Sequence, residues 1–257
     1  MKRLLRHITE FQMAFLLLTR LPAGRLAGNP PELAAASWAF PLAGVAVGCG
    51  IGGSYMGSVL LGLPALLAAV LALAVGLVLT GALHEDGLAD CADGFGGGQT
   101  RARKLEIMKD SRVGTYGVLA LIITMAARIA TLSTFPADLN SLMLIISLAM
   151  FSRLNMLACL AYLPAARSDG LGHSASKPHS LSAGIATVFC VPAVLYCSSL
   201  IIYALLAAAM AGMCFAVFSR RQIGGQTGDV CGAVQVLSET AGWLCLASLF
   251  TSASDCP

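Results

Sequence analysis

Seven apolar stretches, roughly residues 33–55, 59–82, 116–135, 140–162, 181–198, 199–218 and 233–250, take up most of this chain. A helix needs about 20 apolar residues to cross a bilayer. Only 11% of the 257 residues are charged, against roughly 25% in a soluble globular domain, and 57% are hydrophobic. The expected fold is an all-α polytopic membrane protein with about seven transmembrane helices and the lipid bilayer as its surroundings. The fifth and sixth stretches run together, too long for one crossing, and the turn between them is expected near Ser198 and Ser199.

The basic residues orient this arrangement. Lys2, Arg3, Arg6, Arg20 and Arg25 precede the first stretch. Arg101, Arg103, Lys104, Lys109 and Arg112 follow the second, Arg167 and Lys177 the fourth, and Arg220 and Arg221 the sixth. The alternate connections and the tail 251–257 carry none. By the positive-inside rule the N-terminus and the segments 83–115, 163–180 and 219–232 are cytoplasmic. Residues 1–30 read as a cytoplasmic or interfacial N-terminal segment, with Phe11 to Leu18 partly embedded. No cleavage site follows promptly, which argues against a signal peptide. The whole, 1–257, reads as one integral-membrane catalytic domain. Its nine cysteines are scattered and never spaced CxxC, so neither a disulfide framework nor a zinc site is indicated. No nucleic-acid partner is expected, and a homo-oligomer is left open.

Polar chemistry gathers in His84-Glu85-Asp86-Gly87-Leu88-Ala89-Asp90-Cys91-Ala92-Asp93-Gly94, where the second stretch leaves the membrane. On a continuing helix Asp86, Asp90 and Asp93 fall within about 60° of one another, at 100° per residue. Carboxylates so close repel unless a cation sits between them, and oxygen donors of this kind suit Mg²⁺, with Mn²⁺ as the alternative. Such ions can clamp a phosphoryl group during in-line displacement. The competing reading is a solvated acidic end of the second helix, at the terminus its dipole disfavours. His84 would point away from the Asp face, capping the helix or acting as a base only if the helix breaks at Gly87.

Lys109-Asp110-Ser111-Arg112 precedes the third stretch. Asp110 or Ser111 reads as its N-cap, Asp110 also as a candidate base, and Arg112 as a phosphate ligand through its planar fork. Gly224-Gly225-Gln226-Thr227-Gly228-Asp229 leads into the last stretch, a glycine-rich turn at a helix N-terminus of the kind that binds anions. Gly225, Thr227 and Gly228 are its candidate phosphate contacts. Asp229 either caps the helix or supplies a fourth metal carboxylate. Ionisable residues inside apolar spans are costly, and Glu239 is expected to pair with Arg128 or Arg153. Arg153 is also a candidate phosphate contact, and His173 lies in a loop that would cover the site.

These strings resemble the cobalamin synthase, or adenosylcobinamide-GDP ribazoletransferase, family. HEDGLADCADG is similar to its H-x-D-G-L-A-D-x-x-D-G signature. KLEIMKDSRVGTYG, the GLG at 170–172, GGQTGDVCGA with the later Glu239, LTRLP at 18–22 and FPLAG at 40–44 agree in order from about residue 10 to 250. Glu85 departs from the family's usual apolar residue. The resemblance implies an Mg²⁺-dependent enzyme of the bacterial inner membrane. Such enzymes join adenosylcobinamide-GDP to α-ribazole or its 5′-phosphate and release GMP. It also implies that Asp86, Asp90 and Asp93, with Asp229, hold the metal on the pyrophosphate. A CDP-alcohol phosphotransferase would need Ala-Arg after the first Asp-Gly-x-x, where this chain has Asp90-Cys91. A transporter would need polar groups at the bilayer midplane.

Overall fold

The computed structural model describes residues 2–26, 30–175, 178, 180–196 and 200–254. Among these the chain is helical, with one isolated bridge between Ala165 and Gln226. In order the helices are α1 (Lys2–Leu18), α2 (Leu33–Ala36), α3 (Phe40–Leu60), α4 (Ala65–Thr80), α5 (Leu83–Gly97), α6 (Arg101–Ile107), α7 (Thr115–Leu132), α8 (Leu139–Tyr162), α9 (Leu171–Ser174), α10 (Ser180–Tyr196), α11 (Leu200–Ile223) and α12 (Gly228–Ser254). A single 3-10 turn, Ser37–Ala39, joins α2 to α3, so Leu33–Leu60 forms one 28-residue unit.

Each of the seven apolar stretches is a helix, but not all seven are long enough to span. Five are: Leu33–Leu60, Thr115–Leu132, Leu139–Tyr162, Ile201–Ile223 and Gly228–Thr251, with a sixth if α4 and α5 count as one bent unit. The 16 residues of α4 reach only about 24 Å, short of the roughly 30 Å of a bilayer core. The apolar part of α10, Leu181–Pro192, is shorter still, and Pro192 interrupts its hydrogen-bond ladder. The turn expected at Ser198 and Ser199 lies outside the described residues.

Burial separates centre from periphery. The spans through α3, α8 and α12 are 67–72% buried, those of α7 and α11 only 28%. The first three therefore form the centre. The others turn Ile122, Ile123, Leu206 and Met210 outward, where lipid rather than protein would cover them.

The second apolar stretch does not run on as one helix. Gly81 and Ala82 both take left-handed backbone, φ 65° and 57°, and both of their amides return to the Leu77 carbonyl. This closes α4 in the manner of a Schellman cap. A new helix, α5, then leaves at 90°. We read α5 as lying outside the spans. The acidic segment therefore starts a helix instead of ending one, with Glu85 and Asp86 in the first turn, where the dipole favours negative charge.

Beneath α5 lies a buried ion network. Arg128 of α7 donates to Glu239 of α12 at 2.8 Å and to Glu85 of α5 at 3.3 Å. Arg153 of α8 stands 3.6 Å from the other Glu239 oxygen, which also accepts from Ser152 and Gln235. The expected pairing of Glu239 is thus met by both arginines. Glu85, the residue that departs from the family pattern, is tied into the same network.

Candidate active site

The acidic face of α5 is set by what its opposite face packs against. A Cβ at Gly87 would lie 2.7 Å from the Asp229 carbonyl, and one at Gly232 would lie 3.2 Å from the His84 Cα. Two glycines, one on each helix, therefore let α5 and α12 touch at the backbone, which brings Asp86 and Asp90 to the side of Asp229. A pocket of about 230 Å³ opens there, its polar lining supplied by His84, Asp86, Arg167 and Asp229. Asp86 is exposed at the mouth and Asp90 is half-buried.

Asp90 feels this crowding directly. Burial first, then the charges of Asp86, Asp229 and Asp93, push its carboxyl up to about 7, with Arg167 pulling the other way. Asp229 is not a cap. Thr227 takes that role, its hydroxyl oxygen accepting from the Val230 amide at 3.3 Å. Asp229 instead accepts from Arg167 at 2.9 Å and from the Thr227 hydroxyl at 3.1 Å.

Asp93 points elsewhere. Its two oxygens accept from the amides of Gly114, 2.7 Å, and Gly117, 2.9 Å, at the start of α7. The N-cap that the sequence assigned to Asp110 or Ser111 thus comes from a different helix. Asp93→Asn keeps one acceptor oxygen and turns an NH₂ donor toward the second amide, so it is expected to lose part of the stability that Asp93→Ala loses. Asp93→Ala should cost about 0.5–2 kcal/mol and lower the unfolding midpoint. Equal loss of activity in two equally stable variants would instead mark Asp93 as a ligand.

Other candidates also separate. Asp110 and Arg112 are exposed and bind each other, at 2.7 Å from Nη2 to Oδ2. That contact and the Arg112 amide hold Asp110 down to about 2, so Asp110 is ionised and already occupied. Arg153 lines the small buried cavity beside Glu239 and not the pocket with Asp86; its phosphate role gives way to charge pairing. His84 neither breaks nor caps a helix, since α5 runs unbroken through Gly87 from an Ala82 cap. His84 is buried between the two cavities. Burial, Arg153 and Arg128 depress its pKa well below the ordinary value, which keeps it neutral. A Cβ at Gly225 would run into the Pro164 carbonyl of the chain itself, while Gly228 lines the pocket. The side chain of His173 lies outside the described residues.

Arg167 is what the sequence reading missed. It entered there only as a marker of topology, yet it is the basic side chain among those lining this pocket. The bridge that carries it, Ala166 N to Gln226 O at 2.8 Å and Gln226 N to Pro164 O at 2.9 Å, joins segments 60 residues apart. Among the described residues no three His, Cys, Asp or Glu side chains converge as a ready-made metal site. Their chemistry still suits a hard cation. Mg²⁺ commonly takes one or two carboxylates and completes its shell with substrate phosphates and water.

The family described as CobS, cobalamin-5-phosphate synthase, matches residues 10–247. This chain belongs to that family. An adenosylcobinamide-GDP ribazoletransferase of Azorhizobium caulinodans is 43% identical over 233 residues, 86% of this chain and 88% of the relative. One from Bradyrhizobium diazoefficiens is 41% identical over 90% of each chain. One from Mesorhizobium japonicum is 40% identical over 91% of each. No solved structure matches. Within the CobS family, then, the pocket between α5 and α12 is the candidate active site.

Proposed function

We propose that the chain is an adenosylcobinamide-GDP ribazoletransferase, an enzyme of a late step in cobalamin biosynthesis, working at the pocket between α5 and α12. The observation that carries the activity is family membership over residues 10–247, with relatives of that name at about 40% identity. That membership displaces the CDP-alcohol and transporter readings.

In the reaction a ribose hydroxyl of α-ribazole, or of its 5′-phosphate, attacks the phosphorus nearest cobinamide. A new P–O bond forms, the bond from that phosphorus to the bridging oxygen breaks, and GMP leaves carrying that oxygen. Phosphoryl transfer of this kind depends mainly on positioning and charge neutralisation. Asp86 and Asp229 would hold Mg²⁺ or Mn²⁺ with the pyrophosphate oxygens, and the ion would neutralise charge developing there. Arg167, already on Asp229, is placed to take a phosphate oxygen. Asp90, with a pKa near neutrality, is the carboxylate suited to accept the hydroxyl proton. His84, whose pKa burial and two arginines depress, and arginine-bound Asp110 are poorer bases. Arg101, which donates to the Ala166 carbonyl, lies with Arg103, Lys104 and Arg167 beside the site, and this local basic cluster supports a site on the cytoplasmic side of a bacterial inner membrane.

The test is GMP release from adenosylcobinamide-GDP and α-ribazole by purified protein with Mg²⁺, alongside EDTA and Asp86→Ala. Release by wild type with metal alone is expected, and none under any condition would end the assignment. A linked effect concerns stability. The Asp90 carboxyl titrates higher in the folded chain than in the unfolded one, about 3.9, so folding favours its protonated form. The metal-free protein should lose stability as pH rises from about 4 through about 7. Mg²⁺ should restore it most at the alkaline end, seen as a rise in unfolding midpoint at pH 8 that is smaller at pH 5. An equal rise at both would separate the ion from these carboxylates.

A further inference from the structure

The pocket is lined by two unlike sets of residues. Its charged side chains come from α5, α12 and the Arg167 segment, and its apolar ones, Leu18, Leu33, Phe40, Met156 and Leu160, from α1, α2, α3 and α8. Each is at most 6% exposed, and all belong to one hydrophobic cluster. None offers a strong hydrogen-bonding group. The transfer chemistry described above uses only the charged side chains, so this apolar wall calls for an occupant of its own.

We propose that the recess seats the flat heteroaromatic base of the acceptor nucleoside, while its ribose hydroxyl reaches the aspartates at the rim. The assignment rests on the ribazoletransferase reading and goes beyond it by dividing the pocket between substrates. Size and polarity decide which group enters. A volume of about 230 Å³ is below the roughly 300–1,000 Å³ of pockets that engulf a drug-sized ligand. It accommodates one bicyclic ring and not a corrin with its amide arms. Guanine would bury an amide and an amine against side chains that cannot pair with them. The dimethylated benzimidazole of α-ribazole carries no N–H once glycosylated and presents two methyls and a carbocycle. It is the substrate fragment whose surface matches this wall.

A recess without polar partners ranks acceptors by apolar contact, not by hydrogen-bond pattern. Acceptors lacking the two methyls should remain substrates, with KM raised about fourfold per methyl. Shape can then be altered from either side. Leu33→Ala should favour an acceptor with a larger, naphthimidazole base. Met156→Phe should favour the unmethylated benzimidazole riboside. Neither should change KM for adenosylcobinamide-GDP.

The experiment measures KM for the three acceptors and for adenosylcobinamide-GDP with wild type and both variants. Opposite shifts in acceptor ranking at constant donor KM are expected. An unchanged ranking, or a shift in donor KM, overturns the assignment. Should either variant misfold, wild type alone still decides. Free 5,6-dimethylbenzimidazole should inhibit competitively against α-ribazole and not against adenosylcobinamide-GDP. Competition with the donor, absence of inhibition, or competition by a fatty acid in place of the base gives the recess to another occupant. Failure to release GMP with any acceptor overturns the ribazoletransferase reading instead, so the two failures are distinct.

Discussion

Asp90→Asn is expected to lower the turnover number for GMP release by roughly 10²–10⁴-fold, the range contributed by a positioned general base. The acid limb of the pH–rate profile, which the free enzyme should show near 7, should vanish with it. A cation bound next to Asp90 would draw that midpoint lower. Stability should move the other way from activity. Asparagine keeps the size of the side chain and removes a charge that burial and three neighbouring aspartates disfavour. The unfolding midpoint at pH 8 should therefore stay level or rise. A variant that loses activity and stability together would show Asp90 to be part of the scaffold, and a proton acceptor would have to be sought elsewhere.

The largest loss of stability is expected at Glu239. Its carboxylate faces Arg128 on one oxygen and Arg153 on the other, with all three side chains at most 4% exposed. Glu239→Gln leaves two guanidinium groups to share Glu85 alone. Breaking a buried pair from one side costs about 3–5 kcal/mol, which should appear as loss of folded protein from detergent extracts. Adding Arg128→Met restores the balance of charge, because one buried guanidinium, Arg153, is then left with one buried carboxylate, Glu85, and most of the folded yield should return. A double variant no better than the single one would mean that charge pairing is not what holds α7, α8 and α12 together. Activity distinguishes the two sites: wild-type turnover is expected from whatever Glu239 variant does fold, apart from effects transmitted through Glu85 to its neighbour Asp86.

The legible part of this chain was written in long-range composition and in local spacing. Apolar runs marked where a helix lies in each of seven stretches, though only five are long enough to span, and the depth of Glu239 in the last run gave its need for a cation. The i, i+4 spacing put Asp86 and Asp90 on one face whichever way the helix turned. What stayed hidden depended on contacts between distant segments. Gly81-Ala82 reads as an ordinary apolar pair, yet its left-handed backbone ends a helix that hydropathy would extend. Asp93 looked like a third member of an acidic triad because nothing local reveals that its partners are amides about 20 residues downstream. Arg167 was one charge among many until the bridge from Ala165 to Gln226 brought it to Asp229.

The right-angled junction between α4 and α5 also limits how this gene can drift in length. One residue inserted within Ala65–Thr80 would rotate everything beyond it by about 100° and advance it about 1.5 Å. The glycine contact at Gly87 tolerates neither change. Around Gly62, by contrast, the turn is exposed and a Cβ would meet nothing within 4 Å, so extra residues there can loop out at small entropic cost. Insertions and deletions among natural variants should therefore collect at that turn and be absent from the 16 residues that follow it.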